Sequence, residues 1–242
     1  MPEQRKGPSM VYHESKLHIV LDSLGGALWI GGLLLGSPLL RGWYNRWGAT
    51  DAEIGHPYPG RELVPDPRLT YTRAITIHAP AAEVWPWVAQ IGQARGGLYS
   101  YELLENLARC DIHNAGEIVP DWQTLSVGDK VRLGPEGYPF YWVGAFEEGR
   151  WLLLVTGDLA RTETGFALPD PLPDSYVFDT WYFGLEPVDA RTTRLILRGL
   201  QTYAPASFAN RLIWRVITEP MGFVMMRQML IGIKRRAEAS AK

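Results

Sequence analysis

The chain has one cysteine, Cys110, so no disulfide closes within it and no cysteine cluster suggests structural zinc. Cys110 follows a helical pattern and reads as buried filler rather than as a nucleophile. The lack of disulfides does not by itself place the chain in a reducing compartment. Charge of one sign is also missing: 24 Lys and Arg stand against 26 Asp and Glu, for a net charge of −2. With no basic stripe, nucleic acid has no electrostatic footprint here. The five histidines show no HxH or HxxxH spacing, so no metal site is expected. No Gly-x-Ser-x-Gly elbow marks a hydrolase nucleophile, and the glycines before residue 98 lack the spacing and the lysine of a P-loop. No cofactor is implied, and the chain has no internal repeat.

Aromatic residues are plentiful instead, with ten Trp and eleven Tyr, and 46% of residues are apolar. These are the proportions of a folded globular chain. Residues 19–40 form a 22-residue run whose single charge, Asp22, lies near its start. A bilayer-spanning helix needs about 20 such residues. Trp43, Tyr44 and Trp47, with Arg41 and Arg46, follow it as an interfacial belt would. Gly32 and Gly36 make a small-xxx-small pair suited to close helix approach. The expectation is a single-pass anchor, with a helix lying on a cytoplasmic domain as the alternative. Arg5, Lys6 and Lys16 before the run balance Arg41, Arg46 and Arg61 after it, which leaves the orientation open.

Residues 48–67 hold four prolines and three glycines without periodicity and read as an extended connector. This divides the chain into an N-terminal segment 1–47, a linker 48–67 and a domain 68–238. Within the domain, residues 69–78 alternate as a strand with one buried face, interrupted by Arg73. A helix with Pro86 inside it follows over 80–92, and a short one begins at Tyr99 or Ser100. Strands are then expected at 130–133, 141–146, 151–156, 176–186 and 193–202. Residues 157–174 form a Pro-rich loop that is either a lid or a connector. A long amphipathic helix over 207–238 closes the chain, kinked near Thr218 by Pro220. Phe208, Leu212, Val216, Met221, Val224, Met225, Met229 and Ile233 can face the sheet. Helices segregated from a meander of strands argue an α+β fold, in which a curved antiparallel sheet wraps around a long C-terminal helix and leaves a cavity between them.

This order resembles the SRPBCC superfamily of helix-grip domains, which includes START-type lipid carriers and polyketide cyclase/dehydrase-like proteins. The likeness covers about residues 69–237. It rests on the run from Arg73 through Glu83 to Trp87, on Gly128-Asp129 and on the terminal helix. Gly96-Gly97, Tyr99 to Asn106, Asp111-Ile112-His113 and Trp122-Gln123 look like one bacterial branch of it. The resemblance implies a cavity for a hydrophobic ligand and leaves the reaction open.

Asp111 and His113 are the acid/base candidates, since a carboxylate beside an imidazole fixes its tautomer; a simple turn is the plainer reading. Glu102 is a second candidate base. It shares a helix face with Glu105 and with Asn106, although such pairs more often bond across an exposed surface. Tyr99, Tyr101, Trp122, Tyr141, Trp181, Arg198 and Tyr203 are the expected polar-tipped pocket wall, with Asn106 beside them. Both faces of 176–183 carry large side chains, so the inward face is not readable. Arg198 belongs outside by default, for a buried arginine needs an anionic partner. Three functions fit: a carrier of a lipid-like or polycyclic molecule beside a membrane; a cofactor-independent cyclase, dehydratase or isomerase; and an accessory subunit of a membrane assembly.

Overall fold

The computed structural model describes residues 11–241 apart from Thr164; Arg5 and Lys6 of the upstream flank lie outside them. The fold is α+β. Six antiparallel strands run in the order β1-β8-β7-β4-β3-β2: Leu69–Ile77 (β1), Lys130–Arg132 (β2), Phe140–Glu147 (β3), Trp151–Thr156 (β4), Tyr176–Asp189 (β7) and Thr192–Ala204 (β8). The short strands β5 (Ala160–Thr162) and β6 (Gly165–Ala167) form a separate pair. A bulge between Val143 and Ala145 of β3 shifts the register, a device that bends a strand and tightens the twist of a sheet.

Alternation sorts the side chains. Val177, Asp179, Trp181, Phe183 and Leu185 of β7 pair in register with Tyr203, Gln201, Gly199, Leu197 and Leu195 of β8. The deeper of these join Tyr71 and Ile77 in the main core, against helices α3 (Ala81–Ala89) and α6 (Glu219–Ser240). Burying a Leu or Phe side chain contributes roughly 1.5–3 kcal/mol, so this layer supplies much of the stability. Gly199 is required by it, because a Cβ there would overlap the Tyr71 ring.

The opposite, convex face is covered as well. Residues 48–67, expected as an extended connector, contain helix α2 (Asp51–Gly55) with a complete capping box between Thr50 and Glu53. Glu53 holds Arg194 of β8 through both carboxylate oxygens, at 2.8 and 2.9 Å. Tyr58, Leu63 and Val64 are buried against Ala74, Leu153, Phe178, Tyr182 and Ile196. The absence of periodicity reflects scattered anchors on a sheet rather than freedom. The 157–174 loop also turns to this side, where Phe166 stacks with Trp142 at 6.3 Å, so its hairpin is a connector packed on the convex face.

The terminal helix is continuous from α5 (Phe208–Ile213) through a π turn at Trp214–Thr218 into α6. Pro220 has no N–H to give, and the wider turn just before it absorbs the defect. The change of phase rotates the first half outward. Val224, Met229 and Ile233 are buried as expected, but Phe208, Leu212 and Met221 are exposed.

Helix α1 (Lys16–Tyr44) is long and apolar enough to cross a membrane. One of its faces is docked along the domain. Asp22 accepts from Gln228 and Arg235, Ser37 donates to the Arg215 carbonyl, and Arg41 pairs with Glu219 at 2.7 Å. At its end the buried Arg73 donates to the Tyr44 carbonyl at 3.0 Å and to Asn45 Oδ1 at 3.3 Å. Arg73 thus continues the inward stripe of β1 and caps the negative end of a helix dipole. The glycine that permits close approach is Gly26, under the Tyr101 ring; Gly32 meets open space and Gly36 only Leu40 of its own helix.

Candidate ligand site

A cavity of about 520 Å³ opens where β3, β7 and β8 meet the π turn. Its walls include Leu133, Phe140, Tyr141, Val177 and Trp214, with Asp179 and Gln201 among the polar members. Strand geometry explains the pairing. Asp179 and Gln201 are opposite each other across β7 and β8, and Gln201 Nε2 donates to Asp179 Oδ2 at 2.7 Å. The other carboxylate oxygen, Oδ1, is buried without a hydrogen-bond partner. Burial pushes the Asp179 carboxyl up to about 7, while Gln201 and the nearby Tyr141 hydroxyl draw it down. The Tyr141 contact falls short of a well-formed bond to Oδ1. Tyr141 itself is raised well above its usual range by burial and by Asp179. Its ring tilts against Trp181 at 5.5 Å, and the buried Trp181 Nε1 also lacks a partner. Apolar walls with a few convergent, underused polar atoms are what a small-molecule site presents.

The expected pocket residues are therefore divided. Tyr141 lines this cavity, Trp181 lies behind it, and Tyr203 lines an adjoining pocket. Arg198 is on the convex face, bonded to Thr72 and to the Ile54 carbonyl. Tyr99 is in the core, edge-on to Trp87 at 5.9 Å, and Tyr101 is buried beneath α1. Trp122 is half-buried, and its carbonyl accepts from Arg95. Asn106 makes two bonds to the backbone of Ile112, at 2.7 and 2.8 Å, and so braces a loop.

Glu102, Asp111 and His113 do come together, at the surface beside helix α4 (Glu102–Leu107). His113 Nε2 lies 3.3 Å from Asp111 and Nδ1 3.6 Å from Glu102, with the imidazole 75% exposed. Glu102 also accepts from the Asn114 amide at 2.9 Å. The crevice Glu102 lines has a volume of about 10 Å³, room for about one water. Its helix neighbour Glu105, expected on an exposed surface, is buried with both oxygens unpartnered. Burial, with Glu102 adding to it, pushes the Glu105 carboxyl up to about 8. Among the described residues, no three His, Cys, Asp or Glu gather as a metal site.

Asp179 is the residue that sequence reasoning missed. Its signal was a carboxylate within the aromatic run Tyr176 to Phe183, opposite the glutamine of the next strand.

No family model matches the chain, and no curated protein matches it. Solved structures similar to it include the ZhuI aromatase/cyclase of Streptomyces sp. R1128, at 14% identity over 69% of this chain and 94% of that one, TM-score 0.38. A polyketide cyclase-like protein of Corynebacterium glutamicum is 17% identical over 69% and 89%, TM-score 0.36. A protein of Mesorhizobium loti is 16% identical over 69% and 96%, TM-score 0.37. Overlaps of this extent bear on neither ligand nor reaction.

Proposed function

We propose that the chain binds a hydrophobic small molecule, lipid-like or polycyclic, that carries one hydrogen-bonding oxygen, and that it does so beside a membrane. The supporting observation is the 520 Å³ cavity in which apolar walls surround the unpartnered Oδ1 of Asp179. A carboxyl whose protonated form is favoured by burial can donate a hydrogen bond to a carbonyl or hydroxyl, and the walls take the rest of the ligand. Helix α1, by length and composition, supplies the membrane contact. Native mass spectrometry of the full chain, extracted gently from its own membranes, tests the reading. A co-purifying hydrophobe that is lost in Asp179→Ala supports it. An empty cavity that takes up no fluorescent lipid or polycyclic phenol refutes it.

A second reading, a cofactor-independent cyclase, dehydratase or isomerase, draws on the same carboxyl. A group titrating near neutrality both gives and takes a proton at working pH. Here Asp179 is the acid/base and Tyr141 the donor, with Asp111, His113 and Glu102 as the alternative set at the surface. Turnover of an identified substrate that survives Asp179→Asn, but not His113→Ala or Glu102→Gln, assigns the chemistry to the surface group.

A further inference from the structure

Four arginines from three stretches of the chain meet at a second pocket, of about 250 Å³. Arg41 comes from the last turn of α1, Arg68 from the residue before β1, Arg211 from α5 and Arg215 from the π turn. The pocket's one acid, Glu219, is engaged by Arg41 through both oxygens, at 2.7 and 3.1 Å. Arg68, Arg211 and Arg215 are exposed, and among the described residues none of them has an ion-pair partner. Three positive charges are thus left over at one place in a chain whose net charge is −2. The floor is aromatic: Tyr203 stacks on Trp214 at 5.0 Å, and the Arg68 guanidinium sits 5.5 Å from the Tyr203 ring centre.

Apolar side chains are exposed nearby on α5, where Phe208 and Leu212 are 83% and 53% exposed, and on the side of α1 away from Arg41, where Leu39 and Trp43 are 91% and 47% exposed. The bond from Ser37 to the Arg215 carbonyl ties α1 to the π turn here. A groove of about 380 Å³, lined by Leu28, Trp29, Gly32, Leu33 and Leu40, runs along one flank of α1, with the buried Leu33 at its inner edge. The inner side is held to the domain by the polar seam described above and by Leu33 and Tyr44, which are buried with Tyr101, Phe223 and Val224. A helix with one face fixed to its domain by ion pairs and the other face apolar has the character of an interfacial helix. Guanidinium groups favour phosphate because their planar fork makes two parallel bonds to it.

We propose that this pocket binds the phosphate of an anionic phospholipid headgroup, while α1 and α5 lie in the plane of the bilayer surface. Charge complementarity selects the anionic lipid, and the exposed apolar side chains beside it enter the acyl boundary. Gln201 and Trp214 line both this pocket and the ligand cavity, so the cavity mouth faces the membrane from which a hydrophobe would enter. The inference rests on the membrane part of the reading above and not on what fills the cavity.

The test is flotation of the full chain, after removal of detergent, with vesicles of phosphatidylcholine alone or with about one-fifth phosphatidylglycerol. Each basic side chain near an anionic surface strengthens binding several-fold, so three give a preference on the order of 100-fold. Raising the salt to about 0.5 M should erase most of it. The variant Arg68→Gln/Arg211→Gln/Arg215→Gln should lose the preference while keeping its far-ultraviolet circular dichroism and its uptake of a cavity probe. Equal, salt-insensitive flotation with both lipids, as a spanning helix gives, overturns the proposal. So does an unchanged preference in the triple variant. Displacement from the vesicles by millimolar glycerol phosphate makes free phosphate esters the ligand and overturns the membrane source. Cavity occupancy, read separately in detergent, is untouched by any of these outcomes.

Discussion

Replacing Asp179 by Asn should make the protein more stable, and by an amount that depends on pH. The wild-type carboxyl is raised from 3.8 to about 7, with burial as the leading cause. The folded state therefore holds a proton that the unfolded chain releases. For a raised carboxyl, the stability contribution is full below the unfolded value and is lost as pH rises through the folded one. The window is thus about pH 4 to pH 7. A tenfold change in proton affinity is worth about 1.4 kcal/mol, so ionised Asp179 costs on the order of 4 kcal/mol above pH 7. Asn has the same shape, still accepts from Gln201 and carries no proton to lose. The variant and the wild type should match near pH 4, diverge by about 1.4 kcal/mol for each further pH step of one, and run parallel above pH 7. For a domain of this size, that is a melting-point gap of about 10 °C at pH 8. Tyr71 and Tyr141 lie near Asp179, and both are raised by burial, so they stay neutral across the window. Thermal unfolding followed by circular dichroism from pH 4 to pH 8.5 reads the gap directly. Parallel curves throughout, or a wild type that gains on the variant as pH rises, would show that Asp179 is solvated and that the cavity argument fails.

Three further outcomes are expected. Glu105→Gln should behave like Asp179→Asn but over about pH 4.5 to 8, because burial raises that carboxyl to about 8; the same melting series checks it. Gly232→Ala would drive a Cβ into the Tyr99 carbonyl, which is backbone and cannot turn aside. A loss of about 3 kcal/mol or more is expected in urea unfolding. Arg73→Ala removes the donor to Tyr44 and Asn45 at the end of α1. It should cost about 3 kcal/mol and open the chain near residue 47 to limited proteolysis, and protection equal to wild type would dismiss the capping role.

The order of elements was legible because most of it is written in periodicity. Leu69, Tyr71, Ile75 and Ile77 predict a strand with one buried face; β1 is a strand, but Thr72 and Ala74 of its other face are buried as well, beneath segment 48–67. What periodicity does not carry is the sign of a face when both faces are large. Tyr176 to Phe183 alternates aromatic with aromatic, so nothing local distinguishes Asp179 inside from Arg198 outside. Their facing is decided by the register of β7 on β8 and by what covers each side of the sheet. Arg73 shows the same limit: it reads as an interruption of an apolar stripe, and its partners lie at the end of a helix 29 residues earlier. Glu105 differs again, because a six-residue helix is too short to show which of its faces is buried.

Segment 48–67 and helix α1 both look, in sequence, as though they lead away from the domain, one as a tether and one as an anchor. Each is instead fastened to it by charged or polar side chains at spaced points: Glu53 to Arg194, Asp22 to Arg235, Arg41 to Glu219. Removing one partner from a buried pair is more costly than never having made it. For α1 to cross a bilayer on its own, these partners would have to separate together, with Asp22 entering the apolar core and Arg73 left uncapped. Lying flat requires none of this. In the arrangement proposed above, the hydrophobic length that suggests a span is used sideways, with the groove from Leu28 to Leu40 on α1 and the exposed face of α5 beside Arg211 and Arg215 both meeting the bilayer surface. The π turn that rotates Phe208 and Leu212 outward also sets Trp214 between that pocket and the ligand cavity, so one backbone defect produces both the surface proposed to meet the membrane and the shared wall.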